Sequence, residues 1–395
     1  MKIFSFITVL ILLSNISSKI DTDKSKITYE VGIGPNSTKV KMLFSTSTTQ
    51  NTLFSNANRK LALEIQQKRN KSTITLPVNF SEILLPDTTF NLKIDQTGYE
   101  DPSIQGEFGM GIDLYGKNDF INLLFKEKII LQKELIIGAQ MILDTYLVTD
   151  KYYFGNLTDR DDLDPKYHNA WVVELSHILT GMSKKEFEWY NAEEINGRAV
   201  LDSSTKYIYI PESYINLILD IWNLNLTKCP LFDDDDTNIK SFKYIQCTGV
   251  SKDYFKDIKP IYFIVDGYGL LLTANELFEN IGDDKFECLV RFRPEKNNIW
   301  TLGSPLFSKY KIWLKYSKQL IGFNGNDIIN FSKEYYQWRQ ENEYILTKKS
   351  NDKKIVIIGA AMGLMILLTI LYCLIRSCRM ENSQNRSSLI EGEGR

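Results

Sequence analysis

The chain reads as a mostly β protein of two lobes, exported and held by one membrane span. Three observations predict this. Short runs of β-branched and aromatic residues are punctuated by Gly, Asn, Asp and Pro, the pattern of strands joined by turns. The stretch between the chain's two apolar ends exceeds the usual size of one hydrophobic core, which predicts two lobes. Each apolar end then has its own meaning.

At the start, Met1-Lys2 precedes the apolar run Ile3 to Leu13, and small polar residues follow at Ser14 to Ser18. A basic start, a short apolar stretch and a small-residue exit predict a secretory signal over 1–18. A linker is expected over 19–27, a first β lobe over 28–165 and a second over 166–327. Strands are expected at Ile27–Gly32, Val40–Phe44, Ser72–Leu76, Ala199–Ile210, Ile261–Val265 and Lys311–Tyr316. Apolar residues at three- and four-residue spacing predict helices over Asp119–Leu131 and Glu212–Trp222. The acidic run Asp233–Asp236 reads as a solvated loop. Residues 328–354 read as a juxtamembrane stalk. The run from Ile355 to Ile375 carries no charge, and at about 1.5 Å rise per residue it crosses a hydrocarbon core of about 30 Å. Residues 376–395 form a polar tail. Lys353 and Lys354 precede the span and Arg376 and Arg379 follow it, so the flanking charges do not set its orientation. The signal does, placing residues 19–354 outside the cytosol. The chain is thus expected to be a single-pass type I membrane protein of the secretory pathway, at the cell surface or in an acidic endomembrane compartment.

Composition excludes other classes. Lys plus Arg total 47 and Asp plus Glu 49, a net charge of −2. Nucleic-acid binding needs a basic excess, so none is expected. Hydrophobic content of 43% excludes general disorder and is too low for a multi-span transporter. The two histidines, His168 and His177, form no H-E-x-x-H pattern, and no metal or cofactor is expected. Export makes Asn36, Asn70, Asn79, Asn156, Asn225 and Asn330 candidate glycan acceptors, each in an N-x-S/T triplet. Cys373 and Cys378 sit at the cytosolic edge of the span. Cys229, Cys247 and Cys288 lie in the exported part, where disulfides persist. Three is odd, so one is left over or pairs elsewhere, and spacing alone leaves the pairing open.

Two segments, a lobe's length apart, share a pattern. Lys41-Met-Leu-Phe-Ser45-Thr46-Ser47-Thr48-Thr49 and Arg198-Ala-Val-Leu-Asp202-Ser203-Ser204-Thr205 each run an apolar strand into small hydroxyl residues. Each is followed by a glycine segment, Gly106-Glu-Phe-Gly109-Met-Gly111 and Trp300-Thr-Leu-Gly303. In this order the motifs resemble the pepsin-like aspartic proteases, in which each lobe offers an Asp-Thr/Ser-Gly loop at the end of an apolar strand. The stretch Val31-Gly-Ile-Gly-Pro35 with Val40 to Ser47 is similar to the family's opening hairpin and first loop. Lys309-Tyr310 and Leu320-Ile-Gly-Phe323 are similar to its closing segment. The resemblance spans roughly 28–325 and implies a mainly β, bilobal pepsin-like fold. With the C-terminal transmembrane helix, the chain resembles the membrane-anchored members. It also implies a Cys247–Cys288 disulfide in the second lobe, and an interlobe cleft that takes an extended peptide or protein segment.

The departures bear on chemistry. The first loop reads Ser45-Thr46-Ser47 and the second Asp202-Ser203-Ser204, so one carboxylate and both loop glycines are replaced. The flap hairpin is expected near 71–90, where no Tyr or Gly occurs and Pro77 would interrupt a tight turn. The family's hydrolysis uses two carboxylates about 3 Å apart, one charged and one protonated because like charges so close do not both ionise. Ser45 orients water but takes no proton at useful pH. Loss of one member of a cooperating set costs on the order of 10⁴–10⁶ in rate. Side chains at Ser47 and Ser204 are expected to crowd a close backbone approach. A Ser45 nucleophile would need a base, and neither His168 nor His177 is placed to serve. The resulting expectation is a catalytically impaired relative whose cleft keeps peptide or protein binding. The alternative is an acid-active aspartic endopeptidase using Asp202 with an unidentified second acid.

Overall fold

The computed structural model describes residues 28–54, 73–80, 83–93, 103–138, 150–158, 165–180, 188–191, 197–234, 242–294 and 299–331, with single positions at 142, 145, 148 and 163. The expected signal, most of the stalk, the span over 355–375 and the tail lie outside these residues. No helix among the described residues is long and apolar enough to cross a membrane.

The first lobe is built from β1 (Thr28–Ile33), β2 (Thr38–Ser45), β3 (Thr52–Phe54), β4 (Thr73–Phe80), β5 (Ile83–Lys93) and β6 (Gly106–Gly109). They close into a barrel in the order β1-β2-β6-β3-β5-β4. Alternation explains β1, since Tyr29, Val31 and Ile33 are buried while Glu30 faces water. The β1–β2 turn needs left-handed backbone at Gly34 (φ 80°) and Ser37 (φ 46°). Pro77 does not sit in the β4–β5 turn as expected. It lies inside β4 at a register shift between Leu76 and Val78. A bulge tolerates the missing N–H, and the Pro77 carbonyl still accepts from Gly34 N at 2.9 Å.

Helix α1 spans Asp119–Lys126, capped by Asn118, whose Oδ1 accepts from Ile121 N at 2.9 Å. It stops short of the expected Leu131 because Lys128 turns left-handed (φ 59°). Next come β7 (Glu134–Ile137) and β8 (Tyr153–Asn156).

The second lobe contains β9 (Trp171–Thr180), β10 (Glu188–Asn191), β11 (Arg198–Leu201) and β12 (Ile208–Pro211), then helix α2 (Ile215–Trp222). It continues with β13 (Leu231–Asp234), β14 (Phe242–Thr248), β15 (Ile261–Val265), β16 (Tyr268–Leu272), helix α3 (Ala274–Leu277), β17 (Phe278–Gly282), β18 (Lys285–Arg293) and β19 (Trp300–Leu302). Helix α4 (Ser304–Lys309), β20 (Lys311–Lys315), β21 (Leu320–Asn324) and β22 (Ile329–Asn330) close it. Ten strands run in the order β13-β14-β18-β12-β19-β11-β9-β15-β16-β22. A separate four-stranded sheet, β7-β20-β21-β8, draws strands from both halves of the chain.

Several expectations are corrected. The expected strand Ala199–Ile210 is two strands, β11 and β12, divided by a loop. The expected helix from Glu212 starts as a 3₁₀ turn over Glu212–Tyr214. The acidic run is not all loop, since Asp233 and Asp234 pair with Lys243 and Phe242. Residues 329–330 are not stalk but pair with Tyr268 and Gly269.

The implied Cys247–Cys288 bridge is also corrected. Cys247 bonds Cys229, with S–S 2.09 Å, and Cys288 is a buried free thiol. Cys247 on β14 faces Phe286 rather than Cys288 across the ladder. Burial pushes the Cys288 thiol up to about 12.

One hydrophobic cluster runs through both lobes, from Tyr29 and Phe44 to Trp300 and Phe323. Behind the loops, Trp171 Nε1 and Tyr316 Oη both donate to Met110 O, at 2.8 and 2.7 Å. Their rings meet edge to face at 5.1 Å. Each such buried bond costs about 1–3 kcal/mol to leave unmade.

His177 is buried on β9, and burial lowers it to about 4. A histidine held neutral contributes stability that is full above its unfolded value near 6.5 and is lost as pH falls toward about 4. Denaturant unfolding between pH 7 and 4 should therefore show an acid-side loss that His177→Leu flattens. An identical slope in the variant would contradict the assignment.

Candidate active site

Two parallel strand pairs deliver two loops. β2 lies beside β6, from Met42 opposite Gly106 to Ser45 opposite Gly109. β11 lies beside β19, from Ala199 opposite Trp300 to Leu201 opposite Leu302. The chain after each second strand crosses the loop of the first. Met110 N donates to Ser45 O and Gly111 N to Thr48 O, both at 2.6 Å. In the second lobe Asp202 N donates to Leu302 O at 3.1 Å, and Ser304 N to Thr205 O at 2.9 Å. The crossing glycines are required by space. A Cβ on Gly109 would lie 2.5 Å from Gln50 N, and one on Gly303 would lie 2.1 Å from Tyr207 O.

The loops lock to each other. Thr46 Oγ1 donates to Leu201 O at 2.7 Å, and Ser203 Oγ donates to Phe44 O at 2.7 Å. Thr46 N donates to Ser203 Oγ at 3.2 Å, and Ser203 N to Thr46 Oγ1 at 3.0 Å. The two residues stand 157 positions apart and play the same part from opposite sides. Both are fully buried.

Ser45 is fully buried as well, and its Oγ sits 2.9 Å from Ser47 Oγ. Asp202 is half-buried, with Oδ1 accepting from Ser204 N at 2.9 Å and Ser204 Oγ at 2.5 Å. The Ser47 hydroxyl also lies near enough to lower the Asp202 carboxyl. Burial raises the Asp202 carboxyl above its ordinary range, and the Ser204 and Ser47 hydrogen bonds and the Arg293 charge pull it partly back. Among the described residues no carboxylate bears on Asp202.

Neither Ser47 nor Ser204 adopts a positive φ; the Ser47 hydroxyl meets Ser45 and the Ser204 hydroxyl meets Asp202. Thr205 closes the second loop, with Thr205 N donating to Asp202 O at 3.4 Å. His168 contacts Leu163 O at 3.0 Å, and His177 lies on β9, so neither serves Ser45.

A charged cluster beneath the second loop was not read from the sequence. Lys206 Nζ reaches Glu279 at 2.8 Å and Glu287 at 2.9 Å, and Arg291 also pairs with Glu287. Burial alone would raise Glu287; the Lys206 hydrogen bond and the Arg291 charge reverse that and hold it low. The guanidinium of Arg291 stacks 4.2 Å from the Tyr207 ring and 4.3 Å from the Tyr244 ring. The one sequence signal was Lys-Tyr following the hydroxyl run, since the partners come from distant β17 and β18.

The interlocking bonds give a direct test. Thr46→Val and Ser203→Ala should each cost roughly 2–4 kcal/mol in denaturant unfolding. The double variant should cost clearly less than their sum, because each removes the other's partner. Strict additivity would contradict the interlock.

The eukaryotic aspartyl protease family model matches residues 77–325. Among solved structures, the aspartic proteinase from Irpex lacteus superposes with a TM-score of 0.55 at 12% identity, covering 78% of this chain and 96% of that one. At that identity the likeness shows the mainly β bilobal fold. No curated protein gives a match. With its two facing loops and crossing glycine segments, the chain belongs to the eukaryotic aspartyl protease family.

Proposed function

We propose that this chain is a membrane-anchored, catalytically impaired member of the family whose interlobe cleft binds an extended peptide or protein segment. One observation carries the reading: the groups that hydrogen-bond the Asp202 carboxyl are the hydroxyl and the amide of Ser204, with no second acid among the described residues. Peptide hydrolysis by this route splits two jobs between two carboxylates, one taking a proton from water and one donating to the carbonyl. Asp202 alone holds one proton and, among the described residues, has no acidic neighbour to split its ionisation.

Binding does not need the acid pair. An extended segment pairs through its backbone with strand edges, and pockets for alternate side chains select it. The membrane anchor and export rest on the apolar ends of the sequence. Exposure of Asn36, Asn156, Asn225 and Asn330 supports them as glycan acceptors, while Asn79 is half-buried in β4 and Asn70 lies outside the described residues.

The test uses the full chain in detergent, a peptide library between about pH 3 and 6, and Asp202→Ala as control. The expected result is no cleavage above that control, with saturable binding of an extended peptide. Cleavage abolished by Asp202→Ala would overturn the reading and establish an active acid endopeptidase. In the converse experiment, Ser45→Asp with Ser47→Gly and Ser204→Gly should bring acid-dependent cleavage, because the scaffold around position 45 is intact.

A further inference from the structure

One surface of the fold sets exposed apolar side chains among lysines. It is formed by the loop Leu114–Lys117, the C-terminal end of α1, the segment 128–133 and the 3₁₀ turn Tyr316–Lys318. Leu114 is 54% exposed, Tyr115 80%, Phe125 43% and Leu131 62%. Single exposed hydrophobics are ordinary on a protein surface, whereas a group of them marks an interaction site.

The pieces join into one face. Gln319 Nε2, just past the turn, donates to Leu114 O at 3.3 Å. Tyr316 N donates to Lys133 O at 3.1 Å. The Lys133 ammonium lies 5.4 Å from the centre of the Phe125 ring, and the Lys117 ammonium 5.4 Å from that of Tyr115. Asp113 Oδ1 accepts from Tyr115 N at 2.9 Å and from Lys117 N at 2.6 Å, which fixes the loop that presents Tyr115.

Charge narrows the occupant. Lys117, Lys126, Lys128 and Lys318 are exposed and Lys133 is half-buried. The acids among them are Asp119, Glu127 and the half-buried Asp113, so the face is net positive on a chain whose overall charge is −2. Among the described residues none of these five lysines enters an ion pair. Apolar tips ringed by unpaired ammonium groups fit a phospholipid surface. The rings and leucines enter at headgroup level, and the lysines meet the anionic headgroups. A second copy of this chain, paired face to face about a two-fold axis, would set these lysines against themselves.

Chain length favours the same occupant. Residues 332–354 tether the described fold to the expected span, and a chain of that length reaches at most about 80 Å. Docking on the anchoring bilayer is then intramolecular, so weak contacts suffice. We propose that this face rests on the anionic surface of the bilayer that holds the chain, an inference that builds on the membrane anchor proposed above.

The test uses the full chain in lipid nanodiscs of phosphatidylcholine, with or without phosphatidylserine. A water-soluble reagent acetylates surface lysines, and mass spectrometry reads the rate at each. Phosphatidylserine should slow Lys117, Lys126, Lys128 and Lys318 by about threefold or more and leave the exposed Lys252 and Lys285 unchanged. About 0.5 M salt should remove the protection while the chain stays in the disc. Tyr115→Ser with Phe125→Ser, both at exposed positions, should remove it too, as should Lys126→Glu with Lys128→Glu. Protection that survives both double variants overturns the proposal. So does protection without phosphatidylserine that grows with protein concentration, which would assign the face to a second copy. Asn156, a candidate glycan acceptor, stands opposite Leu320 near this face. Protection seen only after Asn156→Gln would mean that a glycan occupies the face, and would likewise overturn the proposal. A chain that enters neither disc overturns the anchor and this proposal with it. A chain that enters both and shows equal rates overturns this proposal alone.

Discussion

Two hydroxyl residues, Thr46 and Ser203, hold the molecule's central geometry. Each sends its side chain across the interlobe boundary to a backbone carbonyl of the other loop, and each receives the other's amide. Water is excluded there, since both residues are fully buried, so every donor must find its partner within the protein. The bonds fix the ends of β2 and β11 against one another. They thereby fix which side chains stand on either side of the site: Ser45 and Ser47 from one lobe, Asp202 and Ser204 from the other.

Scaffold and chemistry thus rest on different atoms. The interlock uses the second residue of each loop, while proton transfer would use the first. A change at position 45 leaves the bonds of Thr46 and Ser203 intact. The crossing segments are likewise indifferent to the acid, because Met110 N binds the backbone oxygen of Ser45. On the proposed reading, position 45 offers Asp202 a hydroxyl where a second carboxyl would divide proton duties with it. Around the site stands a set of hydroxyls, Ser45 with Ser47 in the first loop and Ser204 on the Asp202 carboxyl in the second.

Much of this was legible in the sequence, for a physical reason. An apolar strand that must end in a buried polar loop leaves a sharp local signature, and Val-Leu-Asp202-Ser-Ser-Thr and Leu-Phe-Ser45-Thr-Ser carry it twice. Crossing glycines announce themselves because any side chain at Gly109 or Gly303 would strike backbone. Long-range side-chain pairing was not legible. Lys206 meets Glu279 and Glu287 only after the sheet is formed, and nothing in the spacing of Cys229, Cys247 and Cys288 selects the pair that forms. Pro77 misled because its effect depends on register: it is harmful in a turn that needs its N–H and harmless at a bulge.

The most direct test is the titration of the Asp202 carboxyl itself, followed by ¹³C NMR in the labelled full chain. A single acid enclosed by hydroxyls and backbone titrates in one step, displaced upward by burial, and removing any other carboxylate leaves that step unchanged. Two coupled steps, or a step that moves when another Asp or Glu is replaced, would reveal a second acid in contact with it and contradict the account.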